Sequence, residues 1–325
     1  MHERIGIKEV AAKAGVSVST VSKVLKNYTS ISSETREKVM KVVEETGYIP
    51  NTVASALSSK QKNRIAVFIN VNDKFQQIDE INMLYILGAF DEARRQNLEL
   101  VTVFNDSIDK LSDEETLGYF HSLFADSIIV FGLNRNDTKM HYLFDHGNYK
   151  MVIVDADIVT DNISCVMIDH CQGQHDVAAG ICDFGDTVLY MKGKDDGYVT
   201  DMRLAGMKRL AMEKKLKLDV VNGDFSEDRA YEIVRNLTRK YDAIVCASDL
   251  MAIGARRALP EGSDIRISGF DGIRLLGYIG EEFVTCRQDF YRIGGAAVKA
   301  AQRLREGEKG ERTIIPYDIK KIRNH

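Results

Sequence analysis

From Arg64 onward the chain repeats one unit, a short apolar run followed by an amphipathic helical stretch. Strands are expected at 65–70 (IAVFIN), 98–105, 127–131 and 150–155, with helices at 81–96, 114–123 and 139–146 between them. Strands that alternate with helices pair in parallel, and a parallel sheet is covered by helices on both faces. The alternation then starts again. Strands are expected at 165–169, 187–193, 217–225, 243–249 and 265–271, with helices near 172–183, 201–214, 228–239 and 251–259. A helix at 292–305 and a strand at 313–317 come last. Two such sets imply two Rossmann-like subdomains that face a cleft, the architecture of periplasmic-binding proteins.

The first 60 residues follow a different rule. In IKEVAAKAGVSVSTVSKVLKN, Val10, Ala11 and Ala14 form one apolar stripe, and Gly15 stands where a helix end favours positive φ. Val16 reads as a plug in the turn, and Ser17 offers an N-cap hydroxyl to a second helix. Val21, Val24 and Leu25 give that helix an inward face, leaving Val18, Ser19, Ser22, Lys23 and Lys26 outside. A helix with small polar groups and lysines outside, braced by a helix before it, is a helix-turn-helix element. Ser32 or Ser33 should cap a third helix that ends at Gly47, with Val39, Val42 and Val43 inward. Pro50 precedes a fourth short helix at 51–57.

Charge divides the chain at the same place. Residues 1–63 hold ten Lys and Arg against six Asp and Glu; the rest holds 34 against 42. A basic piece suits phosphate contacts, and an acidic bulk discourages non-specific ones. With 325 residues there is room for two or three domains. No apolar run approaches a membrane span, and the N-terminus lacks a signal-peptide pattern. The five cysteines are odd in number and lack C-x-x-C spacing, so they read as reduced thiols.

The segment 7–57 resembles the DNA-binding headpiece of the lactose/galactose repressor (LacI/GalR) family, through IKEVAAKAGVSVSTVSKVL, SSETREKVMKVVEETGYIPN and VASAL. The resemblance implies a headpiece at 1–60 with a hinge helix at 51–58, and a ligand-binding and dimerisation core at 64–325. It divides that core into an N-subdomain (about 64–160 and 289–317) and a C-subdomain (about 161–288 and 318–325). It implies a homodimer on palindromic double-stranded operator DNA, and a bacterial, cytoplasmic, nucleoid-associated location. Val18, Ser19 and Lys23 would face base edges, and Ser17, Thr20 and Asn51 would contact phosphate. Ala54 would line the minor groove and Leu57 would wedge into the central base step. Relatives often carry arginine where Lys23 stands; lysine still donates to guanine but lacks the fork geometry.

The resemblance also implies a small-molecule effector, a sugar or related metabolite, outside the carboxyl ends of the core strands. Arg203 and Asp271 would hold it by charge-assisted hydrogen bonds, with Ser248 and Gln288 adding polar contacts. Phe225 and Phe290 would pack on it, and Asp155, Phe75 and Gln76 would approach from the first subdomain. Each position also has a structural reading. Asp249 is expected to cap the following helix, Phe225 could be core, Arg203 could pair with a structural carboxylate, and Asp271 could serve a turn. The chain departs from the family at Gly272, where a second acid is frequent, in the short segments 258–271 and 183–186, and in having no tryptophan to stack on a sugar.

Catalytic signatures are missing: no G-x-S-x-G, H-E-x-x-H, Walker loop or G-x-G-x-x-G occurs. No enzyme activity, cofactor or metal is expected. His170, Cys171 and His175 lack a fourth ligand at useful spacing. The expected function is a repressor of a carbohydrate-related operon, governed by its effector. A regulator answering to a protein corepressor and a binding protein without regulatory role are the alternatives. The tail after Tyr317 shows no leucine heptads, which argues against a zipper-built tetramer.

Overall fold

The computed structural model describes residues 6–25, 31–46, 48, 63–70, 80–279 and 282–322. The expected contacts of Lys26, Asn51, Ala54, Leu57, Phe75 and Gln76, the stop at Gly47 and the hinge helix lie outside these residues. The chain falls into two compact units, 1–61 and 62–325.

In the first unit, helix α1 (Ile7–Ala14) ends in a Schellman turn. Gly15 sits at φ +66, its N–H donates to Ala12 O, and the Val16 N–H donates to Ala11 O. Helix α2 (Val18–Leu25) is capped by Ser17 Oγ, which accepts the Thr20 N–H at 3.1 Å. Helix α3 (Ser33–Thr46) is capped in the same way by Ser32, which accepts the Thr35 N–H. Val10, Ala11, Val21, Val24 and Val39 are buried at the meeting of the three helices, with Val16, Val42 and Val43 half-buried around them. A core of five buried side chains is small, so local caps carry much of this unit's order.

The second unit contains two six-stranded sheets. The first sheet runs in the order β11 (Arg312–Ile314), β5 (Ile163–Met167), β4 (Lys150–Val154), β3 (Ser127–Phe131), β1 (Arg64–Ile69), β2 (Glu99–Phe104), and every pairing is parallel. The second runs β12 (Asp318–Ile322), β10 (Phe283–Arg287), β9 (Arg266–Asp271), β8 (Ala243–Cys246), β6 (Thr187–Lys192), β7 (Lys217–Asn222). Only the β10–β12 pairing is antiparallel.

Three features differ from the sequence reading. The run that reopens the alternation, β5, pairs with β4 in the first sheet, so the chain enters the second sheet only after residue 167 and not at 161. Its five residues are all buried, and β11 closes its outer edge. Strands β10 and β12 were not expected as strands. Strand β10 is only five residues long, too short for a clear alternation to stand out. Strand β12 is an edge strand whose Lys320 and Lys321 face solvent, a pattern that discourages further strand pairing.

The helices pack closely where glycines allow it. Helix α4 (Glu80–Arg95) lies against α11 (Phe290–Arg305): a Cβ on Gly88 would sit 1.9 Å from Tyr291 O, and one on Gly294 would sit 2.1 Å from Tyr85 O. Helices α7 (His170–Ala179) and α8 (Tyr198–Glu213) approach likewise, since a Cβ on Gly206 would lie 2.0 Å from Cys171 O. The second contact brings together the helices that carry His170 and Arg203.

Candidate functional site

Two places concentrate polar chemistry, one in each unit. In the first unit it lies on the outer face of α2. Val21 and Val24 point into the core, and this turns Val18, Ser19 and Lys23 to solvent, with Val18 40% exposed. Ser17 Oγ lies 2.7 Å from Ser19 Oγ and 2.8 Å from Thr20 Oγ1, a hydroxyl cluster at the helix N-terminus. The N–H groups and partial positive charge of such an end favour an anion.

In the second unit a buried polar chain joins the two sheets' elements. It begins at Tyr85 on α4, whose ring stacks on Phe131 (4.7 Å) and meets the edge of Phe290 (5.2 Å). Tyr85 Oη donates to Asp155 Oδ2 at 2.7 Å, and burial and the carboxylate push its pKa well up. Asp155 follows β4 at φ +62. Its other oxygen lies 2.9 Å from His170 Nε2, across the gap between subdomains. Burial opposes its charge, yet His170 and Tyr85 hold its pKa below the ordinary value.

His170 is fully buried. Its Nδ1 lies 3.4 Å from Arg203 Nε. Arginine can only donate, so Nδ1 accepts and the ring proton belongs on Nε2, facing Asp155. Burial lowers the imidazole pKa, in keeping with a neutral ring. Arg203 also donates to Ala247 O and, through Nη2 at 3.3 Å, to Asp271 Oδ1. Its guanidinium lies over the Phe270 ring (3.8 Å) and 5.9 Å from that of Phe225. Asp271 ends β9 at φ +117, and burial raises its pKa to about 6 despite the arginine. Gln288 closes the chain: Nε2 donates to Asp271 Oδ1 at 3.0 Å, while its buried Oε1 has no hydrogen-bond partner among the described residues.

Asp155, Arg203, Phe225, Asp271 and Gln288 therefore gather in one place. Ser248 sits below them as the N-cap of α10 (Asp249–Ala258), where it accepts the Met251 N–H. That corrects the reading of Asp249 as the cap. Asp249 is fully buried and instead accepts the N–H groups of Gly272 (2.6 Å) and Ile273 (2.8 Å) and the Thr285 hydroxyl (2.6 Å). It braces the turn that follows Asp271, and burial raises its own pKa. Phe225 lies against Gly193, where a Cβ would be 1.9 Å from its Cζ. Phe290 is 4% exposed and belongs to the first subdomain's core while also lining a cavity of about 800 Å³.

Tyr85 and His170 were missed by the sequence reading. Tyr85 is hidden in a helical apolar pattern, and His170 was weighed only as a metal ligand. A second cavity, about 190 Å³, lies at the carboxyl ends of β1 to β3, lined by Asn70, Asn105, Asn134, Asp137 and Lys139 together with Asp196 of the second subdomain. No sequence motif pointed to these residues. His175 pairs with Asp176 (3.0 Å) and Glu213 (2.8 Å). Among the described residues no cluster of three or more His, Cys, Asp or Glu could hold a metal, and no helix is long and apolar enough to cross a membrane.

Comparison with known proteins agrees with this division. Residues 6–51 match the sequence model described as "Bacterial regulatory proteins, lacI family". Along the whole chain, catabolite control protein A of Priestia megaterium is 27% identical, with 96% of each chain covered. The transcriptional repressor PurR of Vibrio parahaemolyticus is 25% identical over 98% of this chain and 97% of its own. The fold is that of a Lac repressor dimer solved with operator and the anti-inducer ONPF: TM-score 0.81, 22% identity, 98% of each chain covered. The core fold is shared with an ABC transporter solute-binding protein from Bacillus halodurans solved with myo-inositol (TM-score 0.65, 22% identity, 81% of this chain and 96% of that one). Residues 6–51 thus carry the headpiece of the lacI family of bacterial regulatory proteins, and the relatives aligned along nearly the whole chain are described as regulators of that kind.

Proposed function

We propose that this protein is a sequence-specific DNA-binding transcriptional regulator, a repressor of a carbohydrate-related operon, controlled by a small molecule held in the cleft of its core. The observation that carries the reading is the pairing of an outward polar recognition face on α2 with an inward polar chain, Asp155–His170–Arg203–Asp271–Gln288, at the strand ends of the core. In this reading Lys23, Ser19 and Val18 meet base edges, Ser17, Thr20 and Asn51 meet phosphate, and Ala54 and Leu57 enter the minor groove. The effector rests on Arg203, Asp271 and Gln288, whose buried Oε1 still accepts a hydrogen bond, with Phe225 and the first subdomain's Asp155, Phe75 and Gln76 around it. Solved neighbours described with cellobiose and with ribose support a carbohydrate ligand.

A homodimer follows from the same reading. Met83, Leu87 and Phe90 recur at helical spacing on the outer face of α4 and are 55%, 49% and 46% exposed. Such an apolar stripe suits a two-fold partner, and two headpieces then read a palindrome. The test is selection of binding sites from random-sequence DNA by the purified chain. Enrichment of a palindrome with a central CG step supports the paired-headpiece reading. Enrichment of no palindrome, with the chain folded and dimeric, overturns it.

A further inference from the structure

At the rim of the cleft, away from Arg203 and Asp271, the two subdomains touch through the chain's own groups. The loop after β3 meets the loop after β6. Asn134 and Gly197 form an antiparallel bridge, and the Arg135 N–H donates to Asp196 O at 2.9 Å. The Arg135 guanidinium covers the Tyr198 ring at 4.8 Å and reaches Asp201 Oδ2 at 2.6 Å. Tyr198 in turn packs against the first subdomain's core cluster, which includes Phe68, Leu133 and Met140. A backbone bridge, a stacked cation and an ion pair thus meet within one turn of α8.

We propose that Arg135, Tyr198 and Asp201 form a clasp that sets the angle between the subdomains and, through α8, positions Arg203. Helix geometry supplies the coupling. Residues two apart on a helix are turned by about 200°, so Asp201 faces the rim while Arg203 faces the buried chain. A shift of the clasp rotates or tilts the helix that carries both. Arg135 and Asp201 are positioning residues that leave the ligand contacts to Arg203. The link to Arg203 rests on the proposed ligand site, but the clasp itself does not.

The clasp is also separable from the buried contacts that join the same subdomains. His170 to Asp155 is shielded from solvent, whereas the side chains of Arg135 and Asp201 are 39% and 61% exposed. Salt screens exposed pairs and leaves buried ones largely intact. Closure therefore has a salt-sensitive part at the rim and a salt-resistant part inside.

Amide hydrogen exchange on the full chain tests this without DNA or effector. Arg135→Ala and Asp201→Asn should each speed exchange at residues 134–136 and 197–203 by about 5-fold, the upper range of an exposed ion pair. High salt should do the same to the wild type and add little to either variant. The swapped pair, Arg135→Glu with Asp201→Arg, should restore slow exchange, which a packing role for either residue would not allow. Unchanged exchange in the single variants, or a swap that restores nothing while the chain melts as the wild type does, overturns the clasp. A working clasp in a chain whose Arg203 variants still answer to effector would instead overturn the ligand-site reading.

Discussion

Helix α2 carries its polar chemistry outside; the chain from Asp155 to Gln288 keeps its polar chemistry inside. Ser19 and Lys23 are exposed on α2, and the small core behind them is made by other residues. Arg203, Asp271 and His170 are buried, and Arg203 is the partner of both the others. In the first region the proposed base contacts and the stability rest on different side chains, so one can be changed without the other. In the second the proposed ligand contacts and the buried network are the same side chains. An Arg203→Ala variant should therefore not lose an effector response alone. Removing the hub of a buried ion network leaves Asp271 without its counter-charge.

That contrast can be broken most directly at Arg203. Arg203→Ala should cost about 3–5 kcal/mol, the range for breaking a buried pair by removing one partner. Calorimetry should show the melting transition of the 62–325 unit falling by many degrees. A shift within error would mean the network is slack.

Gly15→Ala sharpens the other side. With φ at +66, a Cβ there meets left-handed strain, and the cost should be about 1–2 kcal/mol. The effect should stay within the headpiece, seen as loss of its helical circular dichroism on heating while the core transition stays in place. An equal loss in both units would show that they do not unfold separately.

The smallest effect is one of pH. Burial lowers the His170 pKa in the folded state, so the unfolded chain binds more protons near the ordinary imidazole value of about 6.5. Stability is thus present above that pH and is lost as pH falls through it. Asp271 acts oppositely: its raised pKa adds stability below about 4 that is lost as pH rises through about 6. Between pH 7 and 6 the histidine should govern, and His170→Gln should flatten the fall in melting temperature on acidification. A slope identical to the wild type would mean His170 titrates alike in both states.

The headpiece could be read from sequence because its instructions are local: Gly15, Ser17 and Ser32 each act within four residues. The alternation of the core was legible for the same reason. The assignment of β5 was not, because which sheet a buried strand joins depends on its neighbours across the chain, here β4 and β11. Sequence order suggested Asp249 as a cap, but Ser248 took that role and freed the carboxylate for a turn more than twenty residues away. Tyr85 and His170 entered the site through contacts spanning 70 and 15 residues to Asp155, a juxtaposition that no local pattern encodes.

We propose that α2 reads base edges with side chains the fold does not need. It is tested by the affinity of the Lys23→Ala chain for a selected operator and for random DNA, measured side by side at one salt concentration. The expected loss is about 1–3 kcal/mol on the operator and much less on random DNA, with the melting temperature unchanged. An equal loss on both DNAs would reduce Lys23 to a phosphate contact, and no loss on either would contradict the placement of the recognition face.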